Sequence, residues 1–414
     1  MRKRIRVFTL FSGYDSQFMA LKLFSSKHPE YEFELVGWCE IDDAAIRSHN
    51  SVFPEYANVH HKDVKMIDWH TVPDFELLFY SSCCQSLSLT GAMEGMEKGS
   101  GTQSSLIWYV LDAIEIKRPQ YCILENVKNI VSKTFLPSFI DWMRAVDDLG
   151  YHSAAKSLNS SDFGILQNRE RVFMVSIRDD IKQVYKFPRY KAKEEKRATT
   201  VNKNVEDSFT AYLEESVDEK YYYPHQEVVK YILALSGKKI NQDQIRKVSV
   251  PCGGSMKKQM PSLTCKKRNG GWAIPTLKAT GYGNGNYKNF YTTGYWPQVA
   301  VLEIWQTNLP LVNYNDIIAK AEDVEKKGTS ITNASRGDIM YIINTLQTTE
   351  YLRLRLMTPK EQFEFMGVRD EYIAKLLSSG NEDKQLYSQA GNSIVIDVLY
   401  HLFLSLYKNK IQHD

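Results

Sequence analysis

Through residues 1–180 the apolar positions fall in short runs separated by stretches with helical spacing. Arg6 to Phe11, Phe33 to Cys39, Phe75 to Tyr80 and Tyr121 to Leu124 read as strands. Apolar residues at consecutive positions suit strands covered on both faces. Between these runs Gln17 to Phe24 reads as a helix with Phe18, Leu21 and Met19 on its buried side. Ala44 to Asn50 reads as a helix opened by Asp42 and Asp43, acidic residues that suit an N-terminus. Ser104 to Ile116 and Leu136 to Leu149 are two more, the second stopped by Gly150. Ser153 to Leu158 and Val172 to Ile177 predict a closing pair of strands. Alternating β and α units imply an α/β fold, a mainly parallel sheet covered by helices.

The pattern then weakens. Lys191 to Arg197 is a mixed-charge run that reads as a surface linker or insertion. Gly253 to Gly294 is rich in Gly, Tyr and Trp with many turn signals, which predicts short strands and loops. Regular patterning returns with a helix over Pro359 to Met366, opened near Thr358, and a long apolar helix over Ile394 to Tyr407. The expected division is residues 1–185, 186–345 and a C-terminal segment 346–414 whose last helix returns to the first domain.

Composition changes this picture little. The chain has 414 residues, 43% hydrophobic and 24% charged, with a net charge of +3 that points to no class of partner. The distribution of charge says more, because residues 251–300 hold seven Lys or Arg and no Asp or Glu. None of the six cysteines has zinc-site spacing, which suits free thiols in a reducing compartment. Ile5 to Leu10 is too short for a signal core, and no apolar stretch reads as a membrane span. The expected location is the cytoplasm.

Two strand ends hold the candidate chemistry. Phe75 to Phe79 leads into Tyr80-Ser81-Ser82-Cys83-Cys84-Gln85-Ser86, and Cys122-Ile123-Leu124 leads into Glu125-Asn126-Val127. A thiol beside a carboxylate suggests covalent attack assisted by an acid. Each residue has a plainer reading. Cys84 alone could be a buried inert thiol, and Glu125 a helix cap. Arg169 and Arg171, alternating around Glu170, could form an exposed ion-pair ladder. The basic stretch, with Trp272, Tyr282, Tyr287, Tyr291 and Trp296 interspersed, suits phosphate and base contacts or a solvated basic face.

Taken in order, these segments resemble the C5-cytosine DNA methyltransferases. Phe11-Ser12-Gly13 resembles the first cofactor motif, Glu40-Ile41-Asp42 the second and Asp63-Val64 the third. Cys83-Cys84-Gln85-Ser86 stands where the family has Pro-Cys-Gln. Glu125-Asn126-Val127 and Gln167-Asn168-Arg169-Glu170-Arg171 match two further motifs. Leu356 to Glu361 resembles the motif that supports the recognition region, and Gly391-Asn392-Ser393 the last motif. Two departures stand out. Asp15 and Ser16 occupy positions of the family's glycines, where they can adopt a turn or cap the next helix. Cys83 replaces the proline, which would have fixed φ in the loop.

The resemblance implies a Rossmann-like mixed sheet with a smaller, loop-rich, mainly β recognition domain. It implies a site-specific DNA cytosine-5 methyltransferase using S-adenosyl-L-methionine. Cys84 would attack C6 of a flipped-out cytosine, Glu125 would hold the N3 edge, Arg171 would bind O2 and Arg169 would position the loop or backbone. Phe11, Ser12, Gly13, Tyr14, Glu40, Ile41, Asp63, Val64, Asn392 and Ser393 would line the cofactor pocket. Gln85, Ser86, Ser88, Lys257, Lys258, Lys266, Lys267, Arg268, Thr276, Lys278 and Thr280 would contact duplex DNA. The expected enzyme is a monomer, with any cognate restriction endonuclease acting separately. A tRNA cytosine-5 methyltransferase and a DNA-binding scaffold without activity are the alternatives.

Overall fold

The computed structural model describes residues 2–81, 99–189, 212–222, 255–261, 266–268, 271–275, 300–306 and 350–408. The chain divides into two compact units, Met1–Asn202 with Phe363–Asp414, and Lys203–Gln362.

The first unit is built on a seven-stranded sheet. Its strands are β1 (Lys3–Leu10), β2 (Tyr31–Cys39), β3 (His60–His61), β4 (Leu77–Tyr80), β5 (Tyr121–Val127), β6 (Tyr151–Asn159) and β8 (Glu170–Arg178), in the order β3-β2-β1-β4-β5-β8-β6. β7 (Gln167–Asn168) lies just before β8. The strands from β3 to β5 pair in parallel, and β8 pairs antiparallel with both β5 and β6. The closing strand pair is therefore present, and the sheet is mixed.

Successive strand residues face opposite sides, and both sides are covered here. On one face Phe8, Leu10, Leu78, Tyr80, Cys122 and Leu124 join Val110, Phe139 and Trp142 in a buried cluster. These last three lie on α3 (Val110–Lys117) and α4 (Leu136–Asp147). On the other face Phe79 meets Phe403, and Phe33 and Tyr121 both meet Tyr407. α1 (Ser16–Lys27) lies on that side too, with Phe24 against Phe33 and Tyr407. α2 (Asp43–Val52) is capped by Asp42, whose carboxylate accepts from the Ala44 amide at 2.7 Å.

Toward the C-terminus come α5 (Pro359–Phe365), α6 (Asp370–Leu377), α7 (Asp383–Asn392) and α8 (Ile396–Tyr407). The stretch Asp383–Tyr407 is apolar enough to cross a membrane by length and composition, yet 83% of its most apolar window is buried within the protein. It is a core element covered by α1 and the sheet.

One expected helix differs. Residues 104–116 split into a 3-10 stretch, Gln103–Tyr109, followed by α3. Thr102 caps the first turn by accepting from the Ser105 amide at 3.1 Å, and the Ser105 hydroxyl donates back to the Thr102 carbonyl at 2.7 Å. Such local bonds compete with α-helical ones.

In the second unit β12 (Ala300–Gln306) lies between β13 (Glu350–Leu356) and β9 (Ser255–Pro261), antiparallel to both, while β10 (Lys266–Arg268) pairs with β11 (Gly271–Pro275). Arg355 and Glu361, both with 0% side-chain exposure, form a bidentate pair at 2.8 Å for each contact. Glu361 also accepts from the Thr358 amide while its own amide donates to the Thr358 hydroxyl, a reciprocal cap that fixes the start of α5.

Candidate active site

Register places the candidate residues together. Leu10 stands opposite both Cys39 and Tyr80, and Tyr80 opposite Leu124. The next residues, Phe11, Glu40 and Ser81, therefore leave the sheet along one edge, where Glu125 continues in β5 opposite Phe173 of β8. That is the carboxyl edge, where open α/β sheets bind ligands. β8 runs the other way, and its Arg171 stands opposite Val127 at the same edge.

Glu125 and Arg171 meet there. Arg171 Nε lies 3.2 Å from Glu125 Oε1, with side-chain exposures of 15% and 8%. This excludes an exposed ladder for the two arginines. Only Glu170 between them reaches outward, to Lys128 at 2.9 Å and the Ser157 hydroxyl at 2.7 Å. Burial raises the pKa of the Glu125 carboxyl, against the opposing pull of Arg171 and Arg169. Burial thus makes this carboxyl easier to protonate than one in water, at a position where a donor can face an acceptor.

Arg169 is buried and turned the other way. Its Nη2 donates to the carbonyls of Gly391 at 2.8 Å and Ser393 at 2.6 Å. The preceding motif residue Gln167 is also buried and donates from Nε2 to the Phe365 carbonyl at 3.2 Å. Gln167 thus ties the β7–β8 segment to the end of α5, and Arg169 ties it to the C-terminal end of α7. A shallow depression lies beside the arginines, lined by Ser160, Phe173, Ile394, Val395 and Val398 among others.

The chain leaves β4 at Ser81, whose amide donates to the Leu10 carbonyl at 3.3 Å and whose hydroxyl donates to the Phe11 carbonyl at 3.3 Å. Cys83, Cys84, Gln85, Ser86 and Ser88 follow directly but lie outside the described residues, as do Thr276, Lys278 and Thr280. Lys257 and Lys258 fall on β9, and Lys266, Lys267 and Arg268 make up β10.

The expected cofactor residues cluster at the ends of β1 and β2. Ser12 donates its amide to the Cys39 carbonyl at 3.1 Å, which draws the loop across the sheet edge. Glu40 Oε2 accepts from the Gly13 amide at 2.8 Å, while Oε1 accepts from Ile41 and Asp42 at 2.8 and 2.9 Å. Gly13 has φ +58, and a Cβ there would meet no atom of the described residues within 4 Å. Ile41 is 63% exposed beside Glu40. Val64 is buried, and Asp63 caps the turn at Val64–Met66 through the Lys65 amide. Tyr14 turns its ring inward, edge-on to Phe363 at 5.4 Å, and leaves its backbone for any ligand. Asn392 is exposed at the end of α7. Ser393 precedes Ile394, whose amide donates to the Ser16 hydroxyl at 3.3 Å, so the last motif meets the start of α1.

A half-buried acid, an exposed aliphatic side chain and open space over Gly13 fit a ligand with vicinal hydroxyls and a flat heterocycle. A sequence model of the C-5 cytosine-specific DNA methylases matches residues 5–408. The chain belongs to this family. Among its relatives it is 28% identical to the orphan methyltransferase M.SPRI of Bacillus phage SPR, over 99% of each chain. It is 30% identical to the type II methyltransferase M2.ScrFI of Lactococcus lactis subsp. cremoris, over 84% of this chain and 71% of the relative. Two solved methylase structures share the fold at 16% identity each. One is Entamoeba histolytica EhMeth, with a TM-score of 0.59 and 99% of both chains covered. The other is the S. pombe Dnmt2 methyltransferase, with a TM-score of 0.56 over 98% of this chain and 99% of that one.

In this methylase the sequence did not mark His49 or Gln167 for their contacts. Both are partnered by residues distant in the chain.

Proposed function

We propose that the protein is a site-specific DNA cytosine-5 methyltransferase that uses S-adenosyl-L-methionine and acts as a monomer on duplex DNA in the cytoplasm. The observation behind this reading is the buried Glu125–Arg171 pair, 3.2 Å apart. It stands on the sheet edge from which the chain runs on to Cys84.

Cys84 as thiolate adds to C6 of a cytosine turned out of the helix, which enriches C5 in electrons. Glu125 as the acid gives its proton to N3 and accepts from the exocyclic amine. Arg171 donates to O2 and stabilises the charge that builds on the ring. Arg169 holds the backbone at Gly391 and Ser393. Glu40 at the ribose, Ile41 and Val64 at the adenine face, Asp63 at the adenine amine and the Phe11–Tyr14 backbone would hold S-adenosyl-L-methionine, which would supply an electrophilic methyl group to C5 and leave as S-adenosyl-L-homocysteine. Loss of the C5 proton to a base, for which bound water suffices, then lets Cys84 leave by β-elimination. The second unit would read the target, with Lys257, Lys258, Lys266, Lys267, Arg268, Thr276, Lys278 and Thr280 contacting DNA. Gln85, Ser86 and Ser88 would act beside the nucleophile. A cognate endonuclease, where one exists, would act separately.

The test is incubation with labelled S-adenosyl-L-methionine and unmethylated genomic DNA, followed by base-resolution mapping of 5-methylcytosine. Methylation at one short motif, abolished by Cys84→Ala with DNA binding kept, is the expected result. Transfer to tRNA alone, or DNA binding with neither methyl transfer nor C5 proton exchange, would replace this reading.

A further inference from the structure

The loop from β1 to α1 turns left-handed at every second residue, with φ of 55° at Phe11, 58° at Gly13 and 66° at Asp15. Glycine adopts this region freely. Among other residues Asp and Asn enter it most readily, because a short polar side chain can bond locally. Asp15 does more than tolerate the turn. It is fully buried, and each carboxylate oxygen is engaged. Oδ1 accepts from the Phe18 amide at 3.0 Å, which caps α1. Oδ2 accepts from the Thr9 hydroxyl at 2.9 Å and faces His49 Nε2 at 3.5 Å.

His49 sits on α2, is also fully buried, and lies flat on Trp38 with ring centroids 3.5 Å apart and planes 13° from parallel. Neither ring nitrogen has a hydrogen-bond partner among the described residues. A polar ring removed from water is costly without a compensating contact, and the Asp15 carboxylate is the charge that faces it. The two residues lie behind the loop. Its front, where the Gly13 amide meets Glu40, is left to a ligand.

We propose that Asp15, with His49 behind it, is a positioning residue that holds the cofactor loop in its binding conformation. This rests on reading the loop as the S-adenosyl-L-methionine site. A glycine permits the left-handed backbone without holding it. Asp15 adopts the same backbone and fastens it to β1 through Thr9, to α1 through Phe18, and toward α2 through His49. α2 begins directly after Glu40-Ile41-Asp42, so the latch keeps the two recognition segments, Phe11–Tyr14 and Glu40–Asp42, in a fixed relation. Pre-ordering of this kind raises affinity by reducing what binding must order.

The test uses the full chain and S-adenosyl-L-homocysteine as an unreactive probe, measured by titration calorimetry beside steady-state kinetics. Asp15→Gly keeps the backbone option and removes the latch. Its dissociation constant should rise about tenfold, with KM for the methyl donor rising in parallel and kcat at saturation within about twofold. Asp15→Asn keeps the cap and the left-handed preference and should restore most of the affinity. His49→Phe keeps the stack on Trp38, removes Nε2, and should weaken probe binding several-fold. Wild-type affinity in Asp15→Gly would overturn the proposal. So would a lower kcat and melting temperature with unchanged KM, since that is the mark of a residue serving the fold alone. If the wild-type chain binds no probe, the loop is not the methyl-donor site, and the proposed function falls together with the latch.

Discussion

Glu125 is the residue at which the site's electrostatics become a prediction. Its pKa is raised because burial outweighs the attraction of Arg171 and Arg169. The proposed role needs the protonated carboxyl, so activity should fall as pH rises through the Glu125 pKa. It should also fall at low pH, where the Cys84 thiol is protonated. The kcat/KM profile on duplex DNA should therefore be bell-shaped. Glu125→Gln can still pair with the cytosine edge but cannot protonate N3. DNA binding should survive while kcat drops by roughly 10² to 10⁴, and the falling limb should disappear. A variant within threefold of wild type would remove Glu125 from acid catalysis. Glu125 and Arg171 were legible in the sequence because each sits in a short motif at a strand end. The Asp15–His49 contact was not, since nothing local in residues 43–52 shows which buried face meets the loop.

At the scale of elements, strands read more clearly than helices. Apolar runs such as Phe75 to Tyr80 and Tyr121 to Leu124 leave little alternative when both faces of a sheet are covered. The stretch 104–116 misled because its apolar spacing is helical while Thr102 and Ser105 bond to each other locally and tighten the first turns. The β1–β2 pairing hides another feature, a register shift between Val7 and Phe8 that brings Phe8 opposite Gly37. A Cβ at Gly37 would stand 2.2 Å from Phe8 Cε2. The Phe8 ring cannot retreat, being packed against Trp69 at 5.0 Å, Phe75 at 5.4 Å and His61 at 5.6 Å between centroids. Gly37→Ala should cost about 1–3 kcal/mol by overpacking, measured by urea denaturation. Phe8→Leu in the same chain should return part of that loss, because the two positions are coupled. An unchanged midpoint in Gly37→Ala would mean that the ring moves freely.

For the whole molecule, the sequence told two different stories along its length. The methylase motifs are distributed from the first strand to α8, and the first unit is assembled from both ends of the chain, Met1–Asn202 and Phe363–Asp414. The intervening unit has no such motif guide except at Leu356 to Glu361, and what the sequence offers there is charge. That charge makes a quantitative claim about DNA. Each phosphate neutralised by Lys or Arg releases counterions, so the logarithm of affinity falls with the logarithm of salt at about 0.9 per contact. Replacing Lys266, Lys267 and Arg268 of β10 by alanine should flatten that slope by up to roughly 2.7 if all three meet phosphates. The loss should be nearly equal on cognate and unrelated duplexes, because phosphate contacts fix register without reading sequence. Fluorescence anisotropy between 50 and 200 mM salt, a range of ordinary size for this effect, separates the possibilities. An unchanged slope would assign β10 to a solvated face. A loss confined to the cognate site would make these residues base readers.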